Sequence, residues 1–216
     1  MKACILLNGE VDNLDYIKDI IDNNDYRYII CADGGAKHLY KLNIVPNYII
    51  GDLDSLEESI INYYKNKGVD FKKFPKRKDE TDAQLCIHLA KDLNASEIQL
   101  LGALGGRIDH TIANVNLMYY IKELGINPII KSKVEDIYMA DSEVINIMGQ
   151  KGDIISIIPA KGDVSGVTLK NLEYPLENAT IKYGNPIGIS NVMKSNQCSI
   201  KVKNGCLIIV RNKIPK

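Results

Sequence analysis

Tyr28-Ile29-Ile30-Cys31-Ala32-Asp33-Gly34-Gly35 and Tyr48-Ile49-Ile50-Gly51-Asp52-Leu53-Asp54 share one design. Each is a short apolar run that stops on aspartate and glycine. Each reads as a short strand that ends in a turn signal. Lys2–Leu7 ends at Asn8-Gly9 and Ile98–Leu101 ends at Gly102 in the same way. Val69–Phe74 and Ile129–Lys131 complete the set of predicted strands.

Helical patterns lie between these runs. From Asp82 to Leu93 the apolar positions Ala83, Cys86, Leu89, Ala90 and Leu93 keep helical spacing, and Thr111 to Leu124 gives another helix. Thr81 with Gln84 and Ser55 with Glu58 have the spacing of capping boxes. Strands alternating with helices predict βαβ units and a mostly parallel sheet with flanking helices over residues 1–140. Beyond Asp141 the pattern changes to short strands at Val144–Ile147, Ile154–Ile158, Val167–Leu169 and Leu207–Val210, separated by glycine turns. Residues 141–216 are therefore expected to form an antiparallel, sandwich-like β domain.

Composition narrows the function classes. The chain has 216 residues, 45% hydrophobic and 25% charged, with 27 basic and 27 acidic residues that cancel. No bulk field draws it to nucleic acid or to an anionic membrane, so neither is an expected partner. The start does not have the form of a signal peptide, and no apolar run is long enough to span a bilayer. Five cysteines without a Cys-x-x-Cys pair argue against a disulfide framework or zinc ribbon. A reducing cytoplasm fits them.

Chemistry is suggested by where the acids fall. Asp33, Asp52, Asp54 and Asp109 each follow a predicted strand, and Asp82 opens the next helix. In an open α/β sheet these loops gather along the carboxyl edge, where ligands bind. Asp52-Leu53-Asp54 in extended chain would put two carboxylates on one side, a pair able to hold a hard cation such as Mg2+, with Asp82 as a third ligand. Two solvated loop aspartates would look the same. Asp33-Gly34-Gly35 and Gly102-Ala103-Leu104-Gly105-Gly106-Arg107 either turn tightly or admit a phosphate to the backbone. Neither matches a P-loop or G-x-G-x-x-G. Lys76, Arg77 and Lys78 are either a solvated charge run or cations that balance a polyphosphate, Arg107 suits phosphate oxygens, and Thr81 is a helix cap whatever else it does. His110 has no nucleophile partner in the pattern.

In order, Ala32-Asp33-Gly34-Gly35-Ala36, Gly51-Asp52-Leu53-Asp54-Ser55, Lys78-Asp79-Glu80-Thr81-Asp82 and Gly102-Ala103-Leu104-Gly105-Gly106-Arg107-Ile108-Asp109-His110 resemble the motif set of thiamine pyrophosphokinases. Asn114, Gly166-Val167-Thr168-Leu169 and Gly188-Ile189-Ser190-Asn191 are also similar to that family, so the resemblance spans nearly the whole chain. It implies an enzyme that moves the terminal diphosphate of ATP onto the hydroxyl of thiamine and releases AMP. It implies an N-terminal domain for ATP and magnesium, and a C-terminal domain that helps bind thiamine and pairs into a homodimer. Asp52, Asp54 and Asp82 would hold Mg2+ and, with Lys78 and Arg107, form the catalytic set. Asp33, Gly34, Gly35, Thr81, Asp109 and His110 would lie at ATP, and Ser190 and Asn191 at thiamine. The chain departs from the usual pattern at Val192, where glutamate commonly follows Ser-Asn, and at Gln84, where many members carry glutamate. It has no tryptophan, which some members stack on the vitamin, leaving Tyr183 or Met193 to supply that packing. Other readings of the same acidic edge are a diphosphokinase for another small alcohol and a nucleotide-binding module without turnover.

Overall fold

A computed structural model describes residues 1–11, 13–75 and 79–215. The chain divides into two compact units, Met1–Ser132 and Lys133–Lys216.

The first unit is an α/β layer structure. Its strands are β1 (Lys2–Leu6), β2 (Tyr28–Ala32), β3 (Tyr48–Gly51), β4 (Asp70–Lys73), β5 (Glu97–Leu101) and β6 (Asn127–Lys131). They lie in the order β6-β5-β1-β2-β3-β4, all parallel. The helices are α1 (Leu14–Asp22), α2 (Ala36–Lys41), α3 (Glu58–Asn66), α4 (Asp82–Asp92) and α5 (Ile108–Glu123). Ile5, Leu6, Ile30, Ile49, Leu100 and Leu101 are essentially inaccessible, as expected of strands covered on both faces. Ile17, Leu39, Ile60 and Tyr64 pack down from the helices into the same cluster as Cys4, Leu6, Cys31 and Ile49. Burying each such large side chain contributes roughly 1.5–3 kcal/mol. The Tyr64 hydroxyl donates towards the carbonyls of Ala36 (3.3 Å) and Ile44 (3.2 Å), so this polar atom is satisfied inside the core.

Strand order reverses at β1, whose neighbours are β2 on one side and β5 on the other. The loops leaving β1 and β5 therefore diverge and open a crevice at the carboxyl edge. All five cysteines are buried, and burial pushes the Cys4 thiol up to about 12, which suits inert core residues. Among the described residues no helix is long and apolar enough to cross a membrane.

The second unit is all β. Its strands are β7 (Glu135–Asp141), β8 (Val144–Met148), β9 (Ile154–Pro159), β10 (Val164–Lys170), β11 (Ala179–Ile181), β12 (Asn191–Val192), β13 (Gln197–Lys201) and β14 (Cys206–Asn212). They form two antiparallel sets, β12-β9-β14-β7 and β11-β10-β13-β8. One core cluster takes Ala140, Ile155, Ile157, Leu207 and Ile209 from the first set. It takes Ile147, Val167, Leu169, Cys198 and Ile200 from the second. Two sheets sharing one apolar layer make a sandwich.

Three expectations need correction. The Thr81–Gln84 capping box forms, but the Ser55–Glu58 box does not: α3 starts after Glu57 with no side-chain cap. The Ser55 hydroxyl is committed to Asp33 instead, at 3.2 Å. Helix α5 starts at Ile108 rather than Thr111, with Asp109 in its first turn, where a helix dipole favours an acid. Strand β7 lies ahead of the change in pattern at Asp141, hidden in the sequence by its acidic residues Glu135, Asp136 and Asp141.

Asp136 and Asp153 are each 1% exposed, and Arg211 explains how this is tolerated. Its Nε donates to Asp153 Oδ2 at 2.8 Å, and its Nη1 donates to Asp136 Oδ2 at 3.2 Å and to the Met148 carbonyl at 2.7 Å. Lys213 Nζ pairs with Asp136 Oδ1 at 2.7 Å. Burial alone would raise the Asp153 carboxyl; the N–H groups of Gln150 and Ile214, together with Arg211, hold it below the ordinary carboxylate value. Asp153→Ala leaves Arg211 half-paired in the interior, which costs about 3–5 kcal/mol, and a denaturant titration reads this directly. A depressed carboxyl stabilises the fold above its unfolded pKa of about 3.9 and loses that contribution as pH falls towards its folded value. The acid limb of the stability curve is therefore expected to be shallower in Asp153→Ala than in the parent.

Candidate active site

The crevice of the first unit is a cleft of about 1080 Å3. Leu7–Glu10 leave β1, Asp33 follows β2, and Asp52 and Ser55 follow β3; all face it. Glu80, Thr81 and Asp82 open α4, and Ala103, Arg107, Asp109, His110 and Asn114 come from the loop and helix after β5.

Asp33 is the innermost acid, 5% exposed. Its Oδ1 accepts the Gly34 N–H, and its Oδ2 accepts the Ser55 hydroxyl. A methyl group on Gly51 would come within 2.9 Å of the Asp33 side chain, at φ +152°, where an L side chain is strained in any case. The Asp33 carboxyl is raised above its ordinary value, first by burial and then by the charges of Asp82 and Asp52; the bonds from Gly34 and Ser55 hold it back only in part.

Asp52 and Asp54 do converge, but not by lying on one side of an extended strand. Leu53 adopts φ +69°, and the Asp54 N–H donates to Asp52 Oδ1 at 3.1 Å. A tight turn, not strand alternation, folds the two carboxylates together. With Asp33 they offer oxygens that all lie within 4.8 Å of one another. Asp82 lines the same cleft and acts on Asp33 electrostatically, but stands outside that group of three. Carboxylate oxygen is the donor type that hard divalent cations take, and a bound cation would relieve the buried charge of Asp33, so the residues fit Mg2+.

Arg107 and Asp109 pair through two parallel bonds, Nε to Oδ1 at 3.1 Å and Nη2 to Oδ2. The pair holds Asp109 below and Arg107 above their ordinary values; both are exposed, so the fold gains little from it. His110 follows on the cleft wall, its N–H bonded to Asp109 Oδ1 at 3.0 Å. Thr81 Oγ1 accepts the Gln84 N–H and Gln84 Oε1 accepts the Thr81 N–H, a reciprocal cap that fixes the start of α4. Asn114 donates to the Ala103 carbonyl at 2.8 Å and so ties α5 to the glycine loop before it.

Gly34 and Gly35 are buried in a single 3-10 turn and do not line the cleft. A side chain on Gly34 would run into the Asn8 carboxamide. This glycine lets the β1 loop close over the β2 loop, bringing Asn8 to the cleft. Lys78 lies outside the described residues, as do Lys76 and Arg77. Asn8, Glu10 and Glu80 are cleft residues that carry no site assignment from the sequence; Asn8 stands in the turn after β1, and Glu80 within the motif that ends at Asp82.

Ser190 and Asn191 belong to the second unit. Asn191 is 3% exposed. Its Oδ1 accepts the N–H groups of Tyr174 and Val192, both at 2.9 Å, and its Nδ2 donates to the Tyr174 carbonyl at 2.7 Å. That carboxamide is occupied by main chain. Ser190 is exposed at φ +59°. Met193 is 1% exposed in the core and has no face to offer a ligand, whereas Tyr174 and Tyr183 are 65% and 63% exposed.

Comparison with known proteins adds to this geometry. The family described as thiamin pyrophosphokinase, catalytic domain, matches residues 18–130. The chain belongs to the thiamin pyrophosphokinase family. The family's vitamin B1 binding domain matches residues 142–207. Thiamine pyrophosphokinase of Bacillus subtilis is 28% identical over 214 residues, covering 98% of this chain and 99% of that protein. The chain superposes on the crystal structure of the Bacillus subtilis thiamine pyrophosphokinase with a TM-score of 0.88, at 26% identity and covering 100% of both chains. On the Geobacillus thermodenitrificans thiamin pyrophosphokinase it does so with a TM-score of 0.84, at 26% identity, covering 100% of this chain and 99% of that one. This chain is accordingly a diphosphotransferase that makes thiamine diphosphate from thiamine, with ATP as co-substrate.

A carboxyl raised on folding opposes folding at pH above its folded pKa, and the cost vanishes below the unfolded value. Asp33→Asn is therefore expected to raise the thermal midpoint of the protein at pH 7.5 without added divalent cation. The gain should disappear below about pH 4, where the parent carboxyl is also neutral in both states.

Proposed function

We propose that the acidic cleft of the first unit is where magnesium-ATP meets the hydroxyl of thiamine. The observation that carries this reading is the convergence of Asp33, Asp52 and Asp54 at the carboxyl edge of the sheet, with Asp82 across the same cleft. Asp52, Asp54 and Asp82 would be the metal residues, with Asp33 beside them as the buried member of the cluster. A magnesium ion bound there supplies neutralisation and alignment of polyphosphate oxygens.

The remaining residues have roles in keeping with their chemistry. Arg107 keeps further guanidinium N–H donors beside its bond to Asp109, and these suit phosphate oxygens. Lys78 adds a second cation by sequence. Thr81, Asp109 and His110 flank the nucleotide. One carboxylate of the cluster accepts the proton of the thiamine hydroxyl as its oxygen bonds to the β-phosphorus; the bond to the AMP oxygen breaks, and AMP leaves with that electron pair.

In the second unit Ser190 offers an exposed hydroxyl to thiamine, and Asn191 supports it from behind. Tyr174, held at its backbone by Asn191 and exposed at its ring, is the aromatic platform for the cationic vitamin in a chain without tryptophan. A homodimer in the cytoplasm completes the proposed working form.

The decisive assay is AMP release from magnesium-ATP with and without thiamine; release that does not depend on thiamine overturns the reading. Asp54→Asn and Asp82→Asn should each lower turnover by at least about a thousandfold, while circular dichroism stays that of the parent. Parent-like rates in both variants at saturating magnesium would sink the metal assignment.

A further inference from the structure

Ser190 holds a conformation that glycine would adopt without cost. At φ +59° a residue with a Cβ is strained by about 1 kcal/mol or more. What Ser190 adds over a glycine is its hydroxyl, and something must hold its backbone there.

That support comes from β9. Along this strand Ile154, Ser156 and Ile158 share one face, since side chains alternate. Ile154 and Ile158 are 36% and 40% exposed, but Ser156 between them is only 9% exposed. The chain around Ser190 accounts for the difference. Ser156 Oγ accepts the Ser190 N–H at 3.1 Å, and on the same stretch the Ile157 N–H donates to the Gly188 carbonyl at 3.0 Å. Asn191 and Val192 then pair with Ile155 and Ile154. The segment from Gly188 to Val192 has little regular structure of its own, and β9 acts as its rail. Within that rail Ser156 is the side chain that bonds directly to the strained residue.

We infer that Ser156 is a positioning residue for thiamine: it fixes the left-handed backbone of Ser190 and so aims the Ser190 hydroxyl. This rests on the reading that Ser190 meets thiamine. A small hydroxyl suits the task for two reasons. It accepts the N–H that the turn would otherwise leave unpaired beneath the segment, and it is short enough for the segment to lie close over the strand.

The test is steady-state kinetics on the full chain with Ser156→Ala, Ser156→Val, Ser156→Thr, Ser190→Ala and the double variant Ser156→Ala/Ser190→Ala. Thr and Val have nearly the same shape and differ in the hydroxyl, so they separate the hydrogen bond from packing even if the alanine variant folds poorly. Loss of the bond should raise the KM for thiamine roughly five- to tenfold in the Ala and Val variants, with the KM for ATP unchanged. Ser156→Thr should stay within about twofold of the parent. The double variant should match Ser190→Ala alone, because a residue that acts only through Ser190 has no effect once that hydroxyl is gone. If Ser190→Ala raises the KM for thiamine but Ser156→Val does not, the role of Ser156 is refuted while the thiamine site stands. Additive effects in the double variant also refute it. If Ser190→Ala leaves the KM for thiamine unchanged, the assignment of Ser190 falls, and the role of Ser156 falls with it.

Discussion

The catalytic unit depends on how closely its loops approach one another at the carboxyl edge of the sheet. Gly51 lies so near Asp33 that any side chain there would collide with it, and Gly34 leaves the room that the Asn8 carboxamide fills. This crowding takes Asp33 out of water and sets it against Asp52 and Asp54. Crowding of like charges in a desolvated spot is unfavourable for a free protein and favourable for one that receives a cation. The same contacts that raise the cost of folding the cleft suit it to a cation. The glycines of the Asp-Gly-Gly turn let the loops around them close up, Gly34 by making room for the Asn8 carboxamide.

The fold was largely legible from the chain because its strongest signals are local. Parallel strands such as Tyr28–Ala32 are buried on both faces and read as unbroken apolar runs. Thr81 and Gln84 cap each other across one helical turn, so their spacing alone announces the helix. Where a residue's partner is remote, the signal fades. Ser55 has the spacing of a cap but bonds to Asp33, twenty-two positions earlier in the chain. Strand β7 is obscured because Asp136 looks like a surface acid until Arg211, seventy-five positions away, is placed against it.

The candidate site shows the same division. The identity of the acids and their place at strand ends could be read directly, since the order of strands and loops dictates it. Which carboxylate turns inward could not, because that depends on packing between loops. Asp33 reads as one more acid in a glycine turn, yet it is the buried one, and Asp82 reads as the natural third partner but stands farther off. Strand alternation predicts the pairing of Asp52 with Asp54, but it is a left-handed Leu53 that brings them together. Glu10 has no pattern of its own and is brought to the cleft by geometry alone.

Ser190 and Asn191 stand side by side in the chain and answer to different demands. Asn191 spends its carboxamide on the main chain of Tyr174 and Val192, so losing it would harm the architecture with or without a ligand. Ser190 is exposed and bonds to Ser156 through its backbone N–H. On the proposed assignment of Ser190 to thiamine, a descendant that abandoned the vitamin would be free to change the serine, yet would have to keep the asparagine to keep its shape. Of these two neighbours, one records ancestry and the other records occupation.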